Sequence, residues 1–384
     1  MIVKLKEQFK TIFNRQDGTT FFSPGRVNLI GEHIDYNGGF VFPCALSDGT
    51  YGIAGLRNDL EIHIYSKPFT KKPYIFSLDH IVKDESTKWV DYIKGSIKAL
   101  LDNGYQISQG LDIYMEGTMP LSAGLSSSAS LEMLIIFMIN HFFQFNLDPK
   151  TMAKLGKEAE NKFVGVNSGI MDQFAVIAGK KNQAILLNTE TLDFIYVPLD
   201  LKNYQLMIVN TNKKRGLADS KYNERFSECR EGLRILKPIY SINNLVDLKV
   251  DHLNELKDVL TPLIFKRVKH VITEQNRTIK SREALSHGDI KTFAKLMIQS
   301  HESLKDDYEV TGIELDTLQE AMLEAGALGA RMTGAGFGGC VVGIALKNNI
   351  RLIQARVIET YEKKIGYKPT FYEVSISDGT HLLK

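Results

Sequence analysis

The sequence predicts an α+β protein built from two domains, and three observations carry that prediction. At 384 residues the chain exceeds one small compact unit, and 43% hydrophobic against 24% charged residues supplies an ordinary buried core. β-like and helical runs are intermixed in the first half without strict alternation, which argues against a doubly wound βαβ repeat. The second half is mostly helical and closes on two β-branched runs.

Local pattern justifies the elements in chain order. Runs at 40–46, 51–56, 61–65 and 111–115 are β-rich and read as strands separated by turns. Helical patterning marks 89–103, 128–145 and 151–162. The longest apolar run, 133–139, is interrupted by Asn140, His141 and Gln144. That is far short of the roughly 20 apolar residues of a bilayer span, so a buried helix is expected. Two further strands are expected at 183–187 and 194–198, and 205–210 opens a helix-dominated stretch reaching about residue 328. Strands at 341–345 and 370–374 end the pattern. With no fixed-period repeat, low-complexity tract or Pro/Ser-rich linker, the domains are placed by pattern at 1–180 and 181–384.

Charge and cysteine usage narrow the function classes. Lys+Arg 47 against Asp+Glu 45 leaves a formal charge of +2, too small to recruit nucleic acid or an anionic membrane. The three cysteines, Cys44, Cys229 and Cys340, are far apart without C-x-x-C spacing. That pattern argues against a disulfide framework or zinc site and suits a reducing compartment. MIVKLKEQFK at the amino terminus alternates apolar and basic residues rather than forming a secretory signal, so a cytoplasmic location is expected.

Four segments carry chemistry. In RMTGAGFGGC, from Arg331 to Cys340, Gly334, Gly336 and Gly339 match G-x-G-x-x-G. A dinucleotide fingerprint needs strand, loop and then helix, whereas here a helical stretch precedes and a β-branched run follows. With Val341 the segment also fits a protein-kinase glycine loop, but no H-R-D or D-F-G follows it. Taken alone, it reads as a tight turn between helix and strand. PLSAGLSSSASL, from Pro120, runs directly into an apolar helix. Glycine lets backbone N–H groups approach an anion, three consecutive hydroxyls add donors, and the helix start contributes about half a positive charge. An N-cap would need one serine, and the Walker lysine is missing, so a different phosphate cradle is expected.

The third segment, SPGRVNLIGEHIDYNGG from Ser23, packs Arg26, Asn28, Glu32, His33, Asp35 and Asn37 between turn glycines. Such a density of donors and acceptors suits a polyhydroxylated ligand. A solvated turn is the alternative; a metal site would need a further His or Cys at ligand spacing. His301-Glu302 resembles the start of a zincin helix, but Lys305 stands where the second histidine belongs. In the fourth segment, NSGIMDQF from Asn167, Asp172 lies between Met171 and Phe174, with Glu160 upstream on an expected helix. Asp172 reads either as a half-buried general base or as a helix-capping residue.

Together these segments resemble the GHMP kinase superfamily, whose three motifs occur in order as PGRVNLIGEH, PLSAGLSSSASLE and TGAGFGGC. GRVNLIGEHIDYNGG, NSGIMDQF and WVDYIKG at 89–95 are similar to the galactokinase family, and the likeness covers nearly the whole chain. The resemblance implies a two-domain GHMP kinase fold with mixed sheets and helices, an active site in the interdomain cleft, and ATP-dependent phosphorylation of α-D-galactose at its anomeric hydroxyl. It also implies Asp172 as the base and Arg26 as the group that holds Asp172 ionised and neutralises charge on the transferring phosphoryl. Glu32, His33, Asp35, Gly169 and Tyr222, the last in the segment Ser220-Lys-Tyr-Asn, match the sugar-binding positions. Gly124, Leu125, Ser126, Ser127, Ser128 and Ala129 match the ATP-phosphate positions, and Trp89 the adenine position. Ser128 and Glu160 match the Mg²⁺ positions, a hydroxyl and a carboxylate of the kind that ion accepts. Galactose and Mg-ATP are the partners the likeness implies, and a monomer is expected. The chain departs from the family at Ile34, often threonine, at Ser23, often alanine, and at Ser122-Ala123, often two glycines. Ile34 keeps N-acetylgalactosamine or L-arabinose open as the sugar, and a galactose- and ATP-binding sensor is the alternative in another class.

Overall fold

The computed structural model describes every residue except Pro68, Glu85, 120–123, Asn167 and 214–217, together with all side chains of the remainder except those of Ala218, Asp219 and Ser220. Pro120, Ser122 and Ala123 of the serine-rich loop, Asn167 of NSGIMDQF and the Ser220 side chain therefore lie outside the described residues. The architecture is α+β, as expected, with three sheets among the described residues.

The largest sheet has six strands in the order His381–Leu382, Thr19–Asn28, Pro43–Leu56, Leu111–Gly117, Glu61–Lys67, Tyr74–Ser77. All neighbours are antiparallel except Glu61–Lys67 beside Leu111–Gly117. Helix Ser127–Phe143 packs against strands Thr19–Asn28 and Pro43–Leu56 and is flanked by helices Lys88–Asp102, Pro149–Glu158 and Met171–Ala178. Its apolar residues face inward on several sides, with Met133, Leu134, Ile135, Ile136, Met138 and Ile139 all buried. Each such side chain contributes about 2 kcal/mol relative to exposure. The helix ends where Gln144 turns left-handed (φ 53°) and donates its N–H to the Asn140 carbonyl.

A second, four-stranded antiparallel sheet runs Gly329–Thr333, Cys340–Leu346, Tyr204–Asn210, Thr370–Tyr372. Helix Ile290–Asp306 lies on Gly329–Thr333, and helices Ile313–Glu324 and Ile350–Ile365 pack together beside it. Strands Phe40–Val41, Gln183–Asn188 and Phe194–Pro198 form the third sheet. Long helices Ala218–Tyr240 and Pro262–Ser286 pack on one another, and the second also reaches Phe40–Val41 and Phe194–Pro198. No helix among the described residues is long and apolar enough to cross a membrane.

Three expectations change. The run 40–46 divides between two sheets, Phe40–Val41 pairing with Gln183–Asn188 while Pro43–Leu56 joins the first sheet. The first half of the sugar segment is strand rather than turn, because a register shift between Pro24 and Arg26 absorbs the Pro-Gly pair within the ladder. The third glycine segment joins two strands, Gly329–Thr333 and Cys340–Leu346, not a helix and a strand. Arg331 and Thr333 are therefore strand residues with fixed facing.

Candidate active site

Where the sugar segment, the serine-rich loop, the start of helix Met171–Ala178, Tyr222 and the Gly334–Ala335 turn converge, they enclose a cavity of about 380 Å³. A larger hollow of about 700 Å³, lined by residues such as Leu199, Tyr204, Leu206 and Ile376, contains none of the motif residues. Convergent polar chemistry, not size, identifies the site.

Arg26 is its hub. The guanidinium donates from Nε to Asp172 Oδ1 at 2.8 Å and from Nη2 to Asp172 Oδ2 at 3.0 Å, a two-point charge-assisted pair. Nη1 donates to the Gly124 carbonyl at 2.7 Å, and the Arg26 backbone N–H donates to the Leu125 carbonyl at 3.1 Å. Strand, serine loop and helix Met171–Ala178 are thus tied through one side chain. Arg26 is only 5% exposed, whereas Asp172 retains 29% of its side-chain surface and lines the cavity. Asp172 can accordingly meet a substrate while its partner is shielded from water.

The serine loop is shaped for an anion. Gly124 (φ 79°) and Ser126 (φ 59°) are both left-handed, and Leu125 is buried beneath them. Ser126 occupies the N-cap of helix Ser127–Phe143, yet its hydroxyl donates to Asp172 Oδ2 instead of capping the helix. The first-turn N–H groups keep their positive end for another acceptor. Ser127 and Ser128 line the cavity there, with Ala129 buried behind them.

Glu160 lies in a π-helical turn, Ala159–Val164, that ends the preceding helix. Its Oε2 accepts from Ser168 Oγ at 2.5 Å and from Gln173 Nε2 at 2.9 Å, and the Ser128 hydroxyl also lies within hydrogen-bonding reach. Burial, followed by the charge of Asp172, pushes the Glu160 carboxyl above its ordinary range. Gly95 permits the close approach of helix Lys88–Asp102, since a Cβ there would sit 3.2 Å from the Ala159 carbonyl. A carboxylate and a hydroxyl, both hard oxygen donors beside an anion cradle, fit a divalent cation that takes its other ligands from phosphate and water. No group of three or more metal-ligating side chains occurs among the described residues.

At the opposite end are Glu32, His33, Asp35, Gly169 and Tyr222. Glu32 is buried and accepts from Arg331 Nη2 at 2.9 Å, while Arg331 Nη1 donates to the Asn28 carbonyl at 3.0 Å. Burial pushes the Glu32 carboxyl up, and Arg331 and Arg26 oppose it. Asp35 is raised to about 7, by burial first and then by the charges of Asp172 and Glu32. Gly169 is required by its neighbour, because a Cβ there would lie 1.7 Å from Asp35 Oδ2.

His33 has a left-handed backbone (φ 62°), and its ring lies 5.6 Å from that of Tyr222. Its Nε2 is 3.1 Å from the Ala335 carbonyl, which can only accept, so Nε2 carries the proton and Nδ1 accepts from Tyr36 at 2.9 Å. The direction then propagates: Tyr308 donates to Tyr36 at 2.7 Å, and Cys229 to Tyr308 at 3.0 Å. Burial drives the His33 imidazole down to about 3, so it is neutral at physiological pH.

Trp89 is not among the cavity-lining residues; its ring stacks on Phe69 at 5.5 Å, one helical turn before Tyr92, which lines the cavity. Ile34 is fully buried against Gly39 and away from the cavity. His301 is a core histidine whose Nδ1 accepts from Met332 N–H and whose Nε2 pairs with Asp316. Sequence reasoning did not single out Tyr36, Tyr308, Arg331, Ser168 or Gln173 as individual contributors. Of these, Tyr308 alone lay outside the quoted motifs.

An anion cradle opposite a dense polar pocket, with an Arg-paired carboxylate between them, defines a small-molecule kinase of the GHMP class. The GHMP kinases N terminal domain matches residues 91–180 and the GHMP kinases C terminal domain residues 281–363. The galactokinase galactose-binding signature matches residues 7–56. The galactokinases of Clostridium acetobutylicum and Ligilactobacillus salivarius are each 49% identical over 99% of this chain, covering 98% and 99% of their own lengths. A crystal structure of Lactococcus lactis galactokinase complexed with galactose superposes with a TM-score of 0.97 at 43% identity, covering 100% of both chains. Methanococcus jannaschii mevalonate kinase, at 20% identity and a TM-score of 0.65 over 95% of this chain and all of its own, shares the fold. The chain belongs to the galactokinase family and is an enzyme.

Proposed function

We propose that this enzyme transfers the γ-phosphoryl group of ATP to the anomeric hydroxyl of α-D-galactose, giving galactose 1-phosphate and ADP. The carrying observation is the two-point pairing of Arg26 with cavity-lining Asp172, between the serine loop and the pocket of Glu32, His33 and Asp35. Asp172 accepts the proton of the sugar hydroxyl, and Arg26 keeps the carboxylate aimed and adds positive charge beside the phosphoryl in flight. Gly124, Ser126 and the uncapped first turn of helix Ser127–Phe143 orient the phosphates. Glu32, Asp35 and Tyr222 pair with sugar hydroxyls, and neutral His33 contributes a fixed ring wall at their edge. Ser128 and Glu160 would hold Mg²⁺, which supplies charge neutralisation on the phosphates when bound. Trp89, stacked on Phe69 one helical turn from cavity-lining Tyr92, would meet the adenine.

We further propose a cytoplasmic monomer as the working form, with domains 1–180 and 181–384 around the cleft. Cys44, Cys229 and Cys340 are all buried, and their wide spacing without a C-x-x-C pair suits a reducing compartment. The test is ADP release with Mg-ATP across galactose, N-acetylgalactosamine, L-arabinose, galacturonate, glucose and mevalonate. A kcat/KM for galactose far above the others is expected. Preference for another sugar overturns the substrate assignment, and silence with galactose still bound overturns the catalytic one.

A further inference from the structure

Helix Pro262–Ser286 contributes no residue to the cavity lining, yet it grips the sugar segment from behind. Glu274, fully buried at its middle, accepts at Oε1 from the backbone N–H of Gly31 at 2.9 Å and of Glu32 at 3.2 Å. Two successive N–H groups converging on one oxygen form an anion nest, here filled by a carboxylate from another element. Gly31 makes the nest possible: its φ is +92°, and a Cβ would sit 2.6 Å from the Phe40 carbonyl. Ser300 Oγ donates to the same oxygen at 2.7 Å, and Arg277 Nε donates to Oε2 at 2.7 Å. Burial pushes the Glu274 carboxyl up, but opposing charges, Arg277 foremost, outweigh it and bring the carboxyl to about 2.

The grip continues along the same helix. His270 Nε2 lies 3.1 Å from the Glu32 carbonyl, and Gln275 Oε1 accepts from the Phe40 N–H at 2.8 Å. Glu32 is thereby held at its N–H by Glu274, at its carbonyl by His270 and at its carboxylate by Arg331. Glu32 and His33 are the two residues of this turn whose side chains reach the cavity.

We infer that Glu274 is a positioning residue for the sugar site, acting through the peptide of Glu32 rather than by touching substrate. This rests on the reading of Glu32 as a sugar contact. Glu274→Gln keeps the shape but removes the charge that two N–H groups and Arg277 require, leaving the Glu32 peptide free to shift. A displacement of that kind weakens galactose binding and raises its KM by about tenfold, with ADP affinity within about twofold of the parent.

Calorimetric titration of the full-length protein with galactose and, separately, with ADP tests this. Galactose affinity unaltered in E274Q overturns the proposal, as does equal loss of both ligands, which marks a purely structural residue. In a Glu32→Gln background, E274Q should add less than about twofold, because coupled residues do not add. A full additional tenfold loss overturns action through Glu32. Should E274Q yield no folded protein, Ser300→Ala removes one of the donors to the same oxygen. It is expected to weaken galactose about threefold and spare ADP, and no change in galactose affinity overturns the proposal. A parent protein that fails to bind galactose sinks the sugar-site reading itself, whereas parent binding with an unaltered E274Q sinks only the role of Glu274.

Discussion

Gly169 and Asp35 are so close that the absence of one side chain is a condition for the position of the other. Gly169→Ala forces Asp35 out of the pocket, and overpacking of this kind is expected to raise the galactose KM about tenfold with little effect on that of ATP. Steady-state kinetics with each substrate varied checks the split; parallel rises in both would point to general unfolding. Asp35 also predicts a pH dependence. With its carboxyl raised to about 7, it keeps a proton below that pH and becomes a full acceptor for sugar hydroxyls above it. Galactose kcat/KM should therefore climb through about pH 7, and Asp35→Asn should flatten that limb. Stability runs the opposite way. The native carboxyl binds a proton that the unfolded one has already lost, so its contribution is present below the ordinary carboxylate range and lost as pH rises through about 7. The residues inside motifs were legible because their types and spacing carry chemistry. The roles of Glu274, outside every motif, and of Arg331, at the edge of the third glycine segment, were not, since their partners Gly31 and Glu32 lie 243 and 299 positions away and no local pattern links them.

At the scale of elements, the helices were the most legible. Ser127–Phe143 and Lys88–Asp102 announce themselves by apolar content and length. Strand Thr19–Asn28 was hidden by its Pro24-Gly25 pair, which reads as a turn and is instead accommodated by a shift of register. Gly329–Thr333 was hidden by Ala330 and Met332, poor strand formers in isolation that burial on both faces sustains. The contact between helix Lys88–Asp102 and the π-helical turn bearing Glu160 is another such feature, and it is testable. Gly95→Ala places a methyl 3.2 Å from the Ala159 carbonyl and pushes that turn. Affinity for Mg-ADP should fall about threefold with galactose affinity unchanged; calorimetry that finds both unchanged would show that the helices yield without moving Glu160.

Over the whole molecule, sites distant in sequence are drawn together by a few buried polar links. Arg331 and Thr333 bond to Asn28, His33 to Ala335, and Glu274 to Gly31, so the second sheet and the long helices hold the sugar segment that the first sheet presents. The chain end closes the first sheet, with Phe21 and Phe22 opposite Leu382 and His381, and Thr380 Oγ1 lies 2.9 Å from Ser23 Oγ. Removing 380–384 exposes that edge beside the strand carrying Arg26, and a fall in Tm of a few degrees is expected by scanning calorimetry. An unchanged Tm would mean the strand is ornamental to stability.

The central claim is that Asp172, aimed by Arg26, takes the proton of a bound sugar hydroxyl. Its most direct test is Asp172→Asn, assayed for ADP formation with saturating galactose and Mg-ATP and, in parallel, for galactose affinity by calorimetry. Loss of a positioned base predicts a kcat lower by about a thousandfold, with galactose affinity within about threefold of the parent. A kcat that survives within a few-fold would contradict the account and move the chemistry elsewhere in the cavity.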